Sequence, residues 1–255
     1  MSREITRDPF ARLRSATPAR IGLGQTGDGL PTTAMLEFQL AHARARDAVH
    51  AAADFVRLAE RLAPIETITV ASEAPDRVTY LQRPDLGRRL NATSAARLPD
   101  GPFDVAIVIA DGLSARAVDE QATGVVEATL ARLGRRYTVA PIVLAAQARV
   151  ALGDDIGAAL GAGVVAVLIG ERPGLSVADS LGIYVTFEPR RGRRDSERNC
   201  ISNIHANGGL SPAAAADKLV WLIGEALRLR LTGVGLKDDQ DGLAAVGNVE
   251  FSGLI

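Results

Sequence analysis

Two largely apolar runs constrain the fold of this chain more than anything else in it: Phe103-Asp-Val-Ala-Ile-Val-Ile-Ala110, whose one polar residue is Asp104 near its start, and Val164-Val-Ala-Val-Leu-Ile169. Both are short, rich in β-branched residues and free of alternating polar positions, as strands buried on both faces must be. The first runs into the tight loop Asp111-Gly-Leu-Ser114 and then a helical pattern to about Leu133. That order of strand, loop and helix repeats with a strand over Ala140–Ala145, a helix near Ile156–Leu160 and the strand Val164–Ile169, followed by a further strand over Ile183–Phe187. Such alternation predicts an α/β fold with a mostly parallel sheet and flanking helices. The core is expected to be aliphatic, because hydrophobic residues make up 47% of the chain and aromatic ones only 4%.

Ahead of this region the period is helical. Met35, Phe38, Ala41, Ala45, Ala48, Ala52, Phe55, Ala59 and Leu62 recur at steps of three and four. This predicts one amphipathic helix over Thr33–Leu62, started by Pro31 and stopped by Pro64. Ile65–Val70 is a candidate strand, Tyr80–Leu90 a turn leading into a short helix, and Ser211-Pro212 caps a last helix reaching about Leu231. Three regions follow: a smaller N-terminal helical region over 1–64, the α/β domain over 65–232, and an irregular tail over 233–255.

Charge and cysteine content narrow the function classes. With 29 Lys and Arg against 30 Asp and Glu, the net charge of −1 offers nucleic acid or an acidic membrane no bulk attraction. The single cysteine excludes an internal disulfide and a thiolate zinc site, and it suits a reducing compartment. No stretch has the length and apolarity of a membrane span, and the N-terminal residues lack the apolar run of a signal peptide.

In an open α/β sheet, ligands sit at the carboxyl ends of the strands. Glu171 and Arg172 stand there, held between Gly170 and Pro173, and a ligand role competes with a plain surface ion pair. Asp111-Gly-Leu-Ser114 occupies an equivalent place, and its simplest reading is a helix cap. Cys200 is expected in a polar loop with Asn199, Ser202, Asn203 and His205; a cysteine–histidine hydrolase and an inert thiol are both open. That loop, rich in amides and hydroxyls and free of clustered charge, suits an amide-rich ligand better than a metal ion. Gly22-Leu-Gly-Gln-Thr-Gly27 matches G-x-G-x-x-G, with Asp47 where a ribose-binding acid is sought, so a free-standing Rossmann-type nucleotide-binding oxidoreductase is the alternative function. The polar stretch before it does not read as a strand, which favours a connector. The arginine-rich run 189–198 reads as a solvated loop or subunit contact.

Taken in order, Arg83-Pro-Asp-Leu-Gly-Arg-Arg89, Asp111-Gly-Leu-Ser114, Gly170-Glu-Arg-Pro-Gly-Leu175 and Cys200-Ile-Ser-Asn-Ile-His205 resemble the small (light) subunit family of ethanolamine ammonia-lyase, over about residues 10–232. The resemblance implies an adenosylcobalamin-dependent lyase that converts ethanolamine to acetaldehyde and ammonia. It implies a hetero-oligomer, of repeated heterodimers, with a barrel-shaped large subunit that carries the substrate and the radical chemistry. The small subunit then closes over the corrinoid with a Rossmann-like domain, and residues 1–64 dock the partner. Cobalamin-binding positions transfer to Val150, Glu171 and Cys200, with no catalytic residue and no metal ligand in this chain. Glu171 would accept N–H groups of the corrin amides and Val150 would pack on the ring edge. The implied location is the bacterial cytoplasm, with a bacterial microcompartment as the alternative. A non-catalytic assembly subunit is the remaining reading.

Overall fold

The computed structural model describes residues 8–17, 19–25 and 27–237. In chain order the elements are α1 (Ala11–Ala16), α2 (Thr32–His50), α3 (Phe55–Leu62), β1 (Thr67–Ala71), α4 (Arg77–Gln82), α5 (Ala92–Ala95), β2 (Phe103–Ala110), α6 (Ala115–Ala117), α7 (Thr123–Leu133), β3 (Ile142–Ala146), α8 (Leu152–Ala159), β4 (Ala162–Gly170), β5 (Leu181–Phe187), β6 (Asn199–Ile204) and α9 (Pro212–Leu229). A π-helical turn, Val118–Ala122, joins α6 to α7.

The six strands form one sheet in the order β1-β3-β2-β4-β5-β6. The expected mostly parallel, Rossmann-like sheet is corrected to a mixed one: β1, β3, β2 and β4 pair in parallel, whereas β5 runs antiparallel to β4 and β6 antiparallel to β5. The physical reason is connection length and content. A parallel partner needs a crossover of a dozen or more residues, usually helical. Only residues 171–180 link β4 to β5, without a helix.

Alternation along the buried strands splits the core into two faces. Val164, Ala166 and Leu168 of β4 join Ile107, Ile183, Val125, Leu219 and Ile223 beneath α3, α7 and α9. Val165, Val167 and Ile169 point the other way, onto Leu152, Ile156 and Leu160 of α8. Ser211 caps α9 as expected, accepting from Ala214 N at 3.2 Å with Pro212 in the first turn.

The single N-terminal helix is also corrected. It is two helices, because the Asp54 carboxylate accepts from Arg57 N at 3.0 Å and starts α3 afresh after a non-helical stretch over 51–54. A side chain that offers the backbone a local partner competes with helix continuation. Only α3 uses its apolar side on the core, through Leu58 and Leu62. On α2 only Ala34 and Ala48 are buried, while Met35, Leu36, Phe38 and Leu40 are exposed.

At the other end, Leu236 is buried and its carbonyl accepts from Asn199 Nδ2 at 2.8 Å, so the chain stays docked on β6 past α9. The tail expectation from residue 238 onward lies outside the described residues. No helix among those residues is long and apolar enough to cross a membrane.

Candidate functional site

The carboxyl ends of β2, β3 and β4 converge on one crevice. Asp111 does not cap a helix there. Its buried carboxylate accepts from Gln147 N at 2.9 Å and Ala148 N at 3.0 Å, with Arg77 Nη1 at 3.6 Å, and so ties the end of β2 to the loop leaving β3. Burial pushes the Asp111 carboxyl above the usual carboxylate range, against those amides and Arg77. The cap is Ser114, which accepts from Ala117 N at 3.2 Å and donates to Ala178 O at 2.7 Å. Gly112 has φ +57°, and a side chain there would collide with Gly170 O. One on Gly170 would collide with Ser114 O. Two glycines therefore let the ends of β2 and β4 touch.

The crevice holds a pocket of about 270 Å³ lined by Tyr80, Leu113, Arg149, Val150, Glu171 and Tyr184, among others. Tyr80 is fully buried and carries two guanidinium groups over its ring, with Arg77 Cζ 4.8 Å and Arg149 Cζ 4.3 Å from its centroid. Its hydroxyl donates to Ala148 O at 3.1 Å, and burial raises its pKa to about 12. Within this stack Arg77 Nη2 and Arg149 Nε are buried with no hydrogen-bond partner. Unpaired buried donors are costly, so these two guanidinium groups are held in place at the expense of hydrogen bonding.

Beyond the pocket lies a sheet face without a helical cover. α8 packs on β4, and α9 covers β5 and β6 from the opposite side. Gly182, Tyr184 and Thr186 of β5 point to the α8 side, and Tyr184 pairs across the sheet with Cys200 of β6. Glu171 leans over Gly182 and accepts from Ser180 Oγ at 2.6 Å. Cys200 and Ser202 are exposed and Tyr184 is half-buried. An antiparallel pair can leave one face to solvent in this way.

Electrostatics argue against thiol chemistry. Although Cys200 is exposed as a residue, desolvation raises its thiol above the ordinary value of 9.0; the Tyr184 hydrogen bond opposes the rise and Glu171 adds to it. Tyr184 is itself raised to about 12, by burial first and then by Cys200. The histidine nearest in sequence, His205, is buried and engaged locally: Nε2 lies 2.7 Å from Asn203 Oδ1, and Nδ1 accepts from Asn207 N at 3.2 Å. A nucleophilic cysteine needs the reverse of these conditions.

The crevice thus brings Val150 and Glu171 into one lining, and Tyr184 connects Cys200 to it. The expected loop around Cys200 is corrected to strand β6. Ile201 and Ile204 face inward opposite Ile183 and Leu181, an irregular register with Asn203 at φ 65°, and the extra residue disguises the strand's alternation. The Gly22–Gly27 segment contributes none of the residues that line the crevice pocket. It follows α1, not a strand, and four residues separate it from α2. β1 lies at the sheet edge, whereas a dinucleotide fold places its first strand centrally, directly before the glycine loop. Asp47 sits exposed on α2.

In the arginine run, Arg198 forms a buried bidentate pair with Asp154, both contacts at 2.7 Å, and bonds Thr186 Oγ1 at 2.8 Å. Burial works against its charge, but Asp154 and Asp195 outweigh it and hold its pKa above the ordinary value. Sequence reasoning missed Tyr80, Arg149 and Tyr184. For Tyr184 a signal existed: Gly182-Ile-Tyr-Val-Thr186 alternates, so one face of that strand is not core. No group of three or more His, Cys, Asp or Glu able to hold a metal occurs among the described residues.

Comparison with known proteins places this geometry in a family context. Residues 7–237 match the family model described as ethanolamine ammonia-lyase light chain. The chain is 53% identical to the ethanolamine ammonia-lyase small subunit of Bradyrhizobium diazoefficiens over 242 residues, covering 92% of each protein. It is 51% identical to that of Azotobacter vinelandii, over 92% of this chain and 90% of the relative. With that of Rhodopseudomonas palustris it shares 53% identity over 94% of both.

Proposed function

The chain belongs to the ethanolamine ammonia-lyase light-chain family and is a subunit of that lyase, and we propose that its crevice and open sheet face cradle one side of adenosylcobalamin against a larger catalytic subunit. The observation that carries this reading is the convergence of Val150, Glu171 and, through Tyr184, Cys200 on one crevice.

The donor set fits an amide-rimmed macrocycle. At about 270 Å³ the pocket admits part of the rim of such a ring, not the whole, so the rest of the ligand would lie on the face formed by Gly182, Tyr184 and Cys200. Glu171 keeps acceptor capacity beyond its bond from Ser180, the right polarity for corrin amide N–H groups. Arg149 brings a guanidinium to the same lining, a donor group suited to an amide carbonyl. Val150 supplies an apolar edge. When bound, the cofactor supplies homolysis of its cobalt–carbon bond. The residues here bind and orient it and keep water from one side. None is assigned as acid, base or nucleophile.

The larger subunit would dock on the N-terminal region, where Met35, Leu36, Phe38 and Leu40 of α2, with Phe10 and Leu13, leave apolar side chains exposed. This region adjoins the crevice loop, since Arg20 Nη2 donates to Leu175 O at 3.2 Å. The test is co-purification with the large subunit, followed by adenosylcobalamin binding read from the absorbance spectrum and acetaldehyde release from ethanolamine. The complex is expected to turn over and the isolated chain to be inert. Glu171→Ala is expected to weaken cobalamin binding about tenfold. Deamination by this chain alone, or unchanged affinity in the variant, counts against the reading.

A further inference from the structure

Asparagine followed by glycine occurs once in this chain, at Asn207-Gly208. The pair lies in the turn between β6 and α9, and both residues are exposed. The backbone nitrogen after an asparagine can attack the side-chain carboxamide. Folded structure suppresses this where hydrogen bonds hold the carboxamide, where the attacking N–H is engaged, or where a side chain on the following residue crowds the approach.

The four asparagines among the described residues separate on these grounds. Asn91 Oδ1 accepts from Ser94 N at 2.7 Å and caps α5. Asn199 is held from both ends of its amide, with Oδ1 accepting from Gly233 N and Nδ2 donating to Leu236 O, each at 2.8 Å. Asn203 Oδ1 lies 2.7 Å from His205 Nε2. Ala92, Cys200 and Ile204 follow these three, each inside a helix or strand. The Asn207 carboxamide, by contrast, has no hydrogen bond with any described residue, and neither has Gly208 N. Gly208 has φ +85°, with nothing within 4 Å of where a Cβ would stand, so the approach to its nitrogen is open.

The turn is fastened around this free pair. Asn207 N donates to His205 Nδ1 at 3.2 Å, and Leu210 N donates to Asn203 O at 2.8 Å. Gly209 packs so closely that a side chain on it would collide with Asn203 O and the His205 ring. The flanks are fixed, and the reacting groups are left unrestrained.

We infer that Asn207 is a site of spontaneous deamidation. Gly208 N gives up its proton and bonds to Asn207 Cγ, the Cγ–Nδ2 bond breaks, and the side-chain nitrogen leaves as ammonia. Water then opens the resulting succinimide at either carbonyl, giving aspartate or isoaspartate. One water enters, one ammonia leaves, and nothing is oxidised or reduced. The change adds charge at a seam of the molecule. Asn207 shares a hollow of about 160 Å³ with Arg44 of α2, Arg116 of α6 and Asp179. Arg116 is engaged by Glu120 at 2.6 Å, whereas Arg44 has no hydrogen bond or ion pair with any described residue and is free to serve the new carboxylate as counter-ion. Isoaspartate also lengthens the backbone by one atom inside the fastened turn. None of this depends on the corrinoid reading.

The test incubates the full chain at one mildly alkaline pH, folded and in guanidinium chloride, and follows amide-to-acid exchange by mass spectrometry. Trypsin cleavage after Arg198 and Lys218 releases residues 199–218 as one peptide, so Asn199, Asn203 and Asn207 report side by side through its fragment ions. In the folded chain the exchange is expected at Asn207 alone, with isoaspartate among the products, at a rate within about tenfold of the unfolded chain's. Gly208→Ala is expected to slow it about tenfold or more in either solvent, the unfolded measurement being free of any strain the variant puts on the turn. Exchange at Asn199 or Asn203 as fast as at Asn207, or a folded rate more than about tenfold below the unfolded one, overturns the inference. Aspartate without isoaspartate, or an unchanged rate in Gly208→Ala, overturns the cyclic route and the inference with it.

Discussion

The four parallel strands and the antiparallel pair β5–β6 share one sheet and are built on opposite terms. From Val105 to Ala110 every residue of β2 is completely buried, whereas in β6 only Ile201 and Ile204 are. The first half has helices on both faces, so every side chain it carries serves packing. The second is covered by α9 on one face, and on its other face Tyr184 is half-buried and Cys200 exposed, with Gly182 beneath Glu171. Packing on both faces and an open face are thus divided between strands of one sheet. The Arg198–Asp154 pair joins them, linking the start of β6 to the helix that covers the parallel half.

The severest way to break this arrangement is at that joint. Arg198→Ala is expected to cost about 3–5 kcal/mol in urea-unfolding stability, since it leaves the Asp154 carboxylate buried without its partner. A loss under about 1 kcal/mol would mean that the two halves do not depend on the pair.

Truncating the two halves should sharpen the contrast. Leu168→Ala in β4 is expected to cost about 2–5 kcal/mol, and Ser202→Ala on the open face less than about 0.5 kcal/mol, compared by denaturant midpoint at constant slope. Similar costs at the two positions would contradict the division.

The smallest effect is chemical. Because the Cys200 thiol is raised above 9.0, alkylation by iodoacetamide at pH 8 should be slower than for a free thiol, and its rate should climb only as pH rises past that value. The sign follows from the thiolate being the reactive form, which a raised pKa depletes at pH 8. A rate profile with its inflection below 9.0 would place the thiol in a different environment.

Much of the parallel half was legible because its signal is local. A strand buried on both faces must be apolar without interruption, and 105–110 and 164–169 are. The loop after the second sits at the sheet's ligand edge by topology, which is why Glu171 stood out before any coordinates, whereas Val150 came only from the family resemblance. The antiparallel half was harder to read. A bulge obscures β6, and nothing within 171–180 states the direction of the next strand except the lack of a helix. The break between α2 and α3 rests on one capping carboxylate, at Asp54, inside an otherwise regular helical period.

By itself the sequence determined the α/β class, the buried strands, the lack of bulk charge for nucleic acid, and, through four ordered motifs, the family. These follow from periodicity, composition and local residue order, which are properties of contiguous chain. Only the tertiary structure decided that Arg149 lies over the Tyr80 ring, that Tyr184 lies against Cys200, and that Arg198 pairs with Asp154. Those pairings join residues 16 to 69 positions apart in the chain. Strand order and packing bring them together, and no local pattern records which distant partner each will meet.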